Sequence, residues 1–133
     1  MYSFSTELTG NLADIEQNVT AALKEEGFGI LTEIDVKATL KEKLGVEKRP
    51  YKILGACNPP LAHQAIEADP DIGLLLPCNV VIREEENGAI RVAFMDPSSV
   101  LALVDREGVE TLAAEVRSRL IRVRDSLGGK NID

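Results

Sequence analysis

Two cysteines, each followed by asparagine, are the residues of this chain best suited to chemistry: Ala56-Cys57-Asn58-Pro59 and Pro77-Cys78-Asn79-Val80. They are its only cysteines. A thiolate attacks disulfides and electrophiles and ligates metals, and a neighbouring helix N-terminus favours its formation. Cys57 stands just before Asn58-Pro59-Pro60, where asparagine suits an N-cap and proline a first helical turn, so this thiol is expected beside a helix start. The competing reading is structural. Free cysteine often acts as a small buried hydrophobe, and asparagine next to proline commonly sets a turn.

The elements that must position these residues can be read in order. Tyr2 to Leu8 alternates enough for a short strand, and Asn11 opens a helix whose apolar stripe is Leu12, Ile15, Val19, Ala22 and Leu23. Gly27 suits its C-terminal end. Phe28 to Ile34 predicts a second strand, after which Asp35 can cap a short helix with Val36, Leu40 and Leu44 on one side and Gly45 as its stop. Tyr51 to Ala56 predicts a third strand ending at the first Cys-Asn pair. A brief helix then runs to Ala68 and ends at Asp69-Pro70-Asp71.

Val80-Val81-Ile82 and Ile90 to Phe94 flank Glu86-Asn87-Gly88, and Asn-Gly predicts an antiparallel hairpin. With Asn87 and Gly88 as a two-residue turn, Glu84 faces Arg91 and Asn79 faces Asp96. Cys57, Asn58, Pro59, Cys78, Asn79 and Asp96 would then gather at one sheet edge as a candidate pocket. After a turn through Ser98 to Leu103, Asp105 can cap a long last helix with Val109, Leu112, Val116, Leu120, Val123 and Leu127 as its seam. Arg117, Arg119, Arg122 and Arg124 fall on the rest of that helix, where a solvated face partly paired with Glu110 and Glu115 is the simpler reading than an anion site.

This order predicts an α+β fold: a two-layer domain with a mostly antiparallel sheet covered by helices, and a C-terminal hairpin followed by a long helix. The 133 residues, 44% of them apolar, suffice for a single domain, 1–133, with its own core. A net charge of −7, from 22 acidic against 15 basic residues, argues against a general nucleic-acid binder. The first residues lack the charge and apolar run of a secretory signal, and no stretch approaches membrane-spanning length, so a cytoplasmic protein without a membrane partner is expected. There the cysteines would remain thiols.

Other chemistries find less support. His63 could join Cys57 and Cys78 as a metal ligand, but the spacing is not that of a Cys-x-x-Cys knuckle and His63 lies about one and a half turns into a helix. No metal or other cofactor is expected. Gly27-Phe28-Gly29 lacks the third glycine and the following helix of a nucleotide loop, and Ser98 and Ser99 lack a nucleophile elbow.

Tyr51-x-Ile-Leu-Gly-Ala-Cys-Asn-Pro, the Ala62 to Asp69 helix, Ile72-Gly-Leu-Leu-Leu-Pro-Cys-Asn-Val-Val and the later Asp96-Pro97 together resemble the domain of unknown function 302 family over nearly the whole chain. The resemblance implies a small α+β domain similar to the TATA-binding-protein-like fold and no assigned activity. Fold similarity alone does not carry nucleic-acid binding to this acidic chain. Three function classes follow. The first is a non-catalytic ligand-binding or interaction module, self-associating as a homodimer, with its site around the two Cys-Asn motifs. The second is a thiol-dependent redox or metal-binding protein using Cys57 and Cys78. The third is a purely structural scaffold.

Overall fold

The apolar alternation of the strands organises the molecule. In the computed structural model, which describes residues 1–132, six strands form one sheet: β1 (Ser3–Leu8), β2 (Gly29–Asp35), β3 (Tyr51–Cys57), β4 (Cys78–Glu84), β5 (Ile90–Met95) and β6 (Lys130–Ile132). Their order is β2-β3-β4-β5-β1-β6, with every neighbouring pair antiparallel. Phe4, Leu54, Ala56, Cys78, Val80, Ile82, Val92 and Phe94 are buried on one face. Two helices, α1 (Leu12–Glu25) and α5 (Val109–Ser126), cover that face with Ile15, Val19 and Leu23 from one and Val116, Leu120 and Val123 from the other. Burying such stripes removes apolar area from water and dominates the stability of a domain of this size.

The α+β architecture and the antiparallel sheet agree with the sequence expectation. So do the caps of α1 and of the short helices α2 (Val36–Leu44) and α3 (Pro59–Ala68). Asn11, Asp35 and Asn58 each accept a hydrogen bond from the backbone N–H three residues on. Gly27, at φ +86°, completes a Schellman end for α1, with Phe28 N–H donating to the Leu23 carbonyl and Gly27 N–H to that of Lys24. A short helix, α4 (Pro97–Val100), and 3₁₀ turns at Pro70–Leu75 and Leu101–Leu103 fill the remaining connections.

Two expectations require correction, and two further features were not anticipated. The hairpin loop has three residues instead of two: Glu85 N–H donates to Ala89, Gly88 N–H donates to Glu85, and Gly88 takes the left-handed conformation at φ +86°. This shifts the register by one, so Arg83 faces Arg91 and Glu84 faces Ile90. The Glu85 carboxylate lies 3.0 Å from both arginines and offsets the like-charge pair. Second, Gly108 and not Asp105 precedes α5, and glycine has no side chain to cap it; Val109 is buried at the first helical position. Third, α2 buries no residue; Val36 and Leu40 are half-buried and Leu44 is exposed. Finally, β6, a strand of three residues too short to show periodicity, pairs with β1.

Candidate functional site

Strand β3 ends where α3 begins, and Asn58 makes that junction. It is 6% exposed. Its Oδ1 accepts from Leu61 N–H at 3.4 Å while its Nδ2 donates to the Glu26 carbonyl at 3.3 Å, which ties the start of α3 to the end of α1. Arg119 from α5 donates to the same carbonyl at 3.0 Å. A Cβ on Gly27 would stand 2.9 Å from Asn58 Nδ2, so glycine is required there by packing as well as by its positive φ.

The junction leaves a cavity of about 290 Å³ beside the ends of β3 and β4, walled by α3 and α5. Cys57, Asn58 and Cys78 line it, together with Phe28, Leu61, Ala65, Leu112 and Val116. The register explains the approach of the two cysteines: Ala56 of β3 faces Cys78 of β4, one residue before Cys57. Cys57 is half-buried and Cys78 is buried. Burial pushes the Cys78 thiol up to about 11, with the neighbouring Cys57 adding to the effect. At neutral pH Cys78 is therefore a neutral thiol and a poor nucleophile.

The other candidate residues lie elsewhere. Asn79 is exposed, because β4 alternates and turns it to the face opposite Cys78. Pro59 is exposed in the first turn of α3. Asp96 is 8% exposed but caps α4 through Ser98 N–H at 2.9 Å and accepts from Arg117 Nε at 3.0 Å. The expected gathering of six residues is thus replaced by a group of three, and Asn79 does not face Asp96. His63 lies on the exposed side of α3 with its Nε2 3.5 Å from Glu67 Oε1, away from both thiols. Among the described residues no three His, Cys, Asp or Glu side chains form a metal-binding group.

Sequence reading missed Leu31 and Ile66. Leu31 is the extra residue of a β-bulge, for Ile30 pairs with Ala56 and Thr32 with Gly55. It lines the cavity while remaining 67% exposed, and Ile66 lines it at 43% exposure. Alternation carries no signal for a bulge. Gly55 is occluded on the same stretch: a Cβ there would lie 2.1 Å from Thr32 Oγ1 and 2.8 Å from Pro77 Cγ. Leu112 and Val116, by contrast, were legible as part of the apolar seam of the last helix.

No helix among the described residues is long and apolar enough to cross a membrane. No curated protein matches the chain. Among solved structures, the crystal structure of an uncharacterized conserved protein DUF302 from Bacillus stearothermophilus is similar, with a TM-score of 0.86 and 27% identity over 94% of this chain and 97% of that one. The family model for the domain of unknown function DUF302 matches residues 4–127, and the chain belongs to that family.

Proposed function

We propose that this protein is a non-catalytic ligand-binding module whose site is the cavity at the ends of β3 and β4. The observation that supports this reading is the make-up of the lining. No carboxylate, imidazole, amine or guanidinium belongs to it, so the lining offers Cys57 no general base, and the other thiol, Cys78, is held protonated by burial. Both polar atoms of Asn58 are engaged with the backbone, Nδ2 tying α1 to α3 and Oδ1 capping α3. What remains is a concave apolar surface with two thiols, the kind of site that binds by exclusion of water.

Fragment mapping by NMR tests the reading without presupposing the ligand. A set of charged, polar and apolar fragments is titrated into the protein, and amide and methyl shifts are followed. The expected result is a cluster of shifts at Cys57, Leu61, Ala65 and Leu112, lost in Ala62→Phe, whose ring enters the same space. Shifts scattered over other surfaces, or none at all, would remove the cavity from consideration.

A further inference from the structure

The lining also narrows the class of ligand. We infer that the cavity takes an uncharged, largely hydrocarbon molecule of about ten to twelve non-hydrogen atoms, entering between Leu31 and Ile66; the inference rests on the binding reading above. The size follows from volume. A cavity of roughly 150 Å³ accepts benzene, so about 290 Å³ accommodates about twice as many atoms.

The lack of charge follows from the polar inventory. An ionised group buried without a partner loses its hydration, and the cavity offers no ion to offset that loss. The amide of Asn58 is turned to the backbone, with its nitrogen on the Glu26 carbonyl and its oxygen on Leu61 N–H, and burial keeps the Cys78 thiol protonated at neutral pH. A thiol is only a weak hydrogen-bonding group, so polar ligands gain little from the two cysteines. The entrance has the same character. Leu31, held outward by the bulge, and Ile66 on α3 expose apolar surface that an aliphatic chain would cover.

The test compares 1-nonanol with nonanoate at neutral pH by titration calorimetry, with shift mapping to locate each. Nonanol is expected at the cavity with affinity roughly tenfold or more above that of nonanoate, given the cost of burying an unpaired carboxylate. Leu31→Glu is expected to weaken nonanol several-fold. Because Leu31 is exposed, this variant should fold normally, as circular dichroism can establish. Equal affinity for alcohol and carboxylate, or indifference to Leu31→Glu, would overturn the inference. A charged or polar fragment that occupies the cavity while nonanol does not would also overturn it and leave the binding reading intact. If nothing enters the cavity, both fall.

Discussion

The two Cys-Asn pairs are alike as text and different as chemistry. Asn58 is the buried joint between two helices, whereas Asn79 faces outward from a strand; Cys78 is buried at about pKa 11, whereas Cys57 is half-buried at the cavity. A repeated dipeptide cannot reveal this, because its setting depends on whether the chain next turns into a helix or continues as a strand. The titration of Cys78 has a measurable consequence. An unfolded cysteine ionises near its ordinary value of 9.0 while the folded one remains protonated, so the folded state binds more protons between about 9 and 11. Stability is therefore unaffected by this group below that window and falls as pH rises through it. In urea titrations the wild-type midpoint should drop across this range and that of Cys78→Ala should drop less. Equal slopes would show that the thiol is not held protonated by folding.

At the scale of elements, register and packing decide what propensity leaves open. Asn87-Gly88 marked a hairpin correctly but not its loop length: a two-residue turn and a three-residue loop both place glycine in the left-handed region, and they differ by one residue in register. Likewise β6 exists only because Gly129 lets the chain return to β1. A Cβ there would meet Thr6 Oγ1 at 2.5 Å and the Glu7 carbonyl oxygen at 2.6 Å. Gly129→Ala is expected to lift β6 from the sheet while the other five strands persist, at a cost of about 1–3 kcal/mol. Amide exchange provides the check, with Lys130 to Ile132 losing protection and β3 to β5 keeping theirs. Retained protection in the terminal strand would mean that the backbone yields to the methyl group.

At the scale of the molecule, Arg117, Arg119 and Arg122 of α5 form the partly paired, largely exposed face expected, with Arg119 on Glu115 at 3.0 Å, and also tie the helix to other elements. Arg122 grips the Glu26 carboxylate through Nε at 3.1 Å and a terminal nitrogen at 2.9 Å, Arg119 reaches the backbone of the same residue, and Arg117 reaches Asp96. Arg117 and Arg124 also stand over the Phe4 ring, which stacks on Phe94. The hydrogen bond from Arg122 holds Glu26 below its ordinary 4.5. Because the folded-state value is depressed, the tie contributes above the ordinary value and is lost as acid protonates Glu26. Arg122→Ala should change stability little at neutral pH, as exposed pairs do, and should flatten the loss of stability on acidification. An unchanged acid slope in urea titrations would refute that role. The sequence by itself determined the α+β class, the main helices and their apolar stripes, the N-caps of α1, α2 and α3 and the family, since periodicity, capping and a near-continuous motif are properties of neighbouring residues. Tertiary structure alone decided the strand order, the hairpin register, the bulge that turns Leu31 outward, and the separation of Asn79 and Asp96 from the two thiols. Those features are settled by which distant segments bury one another, and a one-residue shift along a strand exchanges the two faces of a sheet.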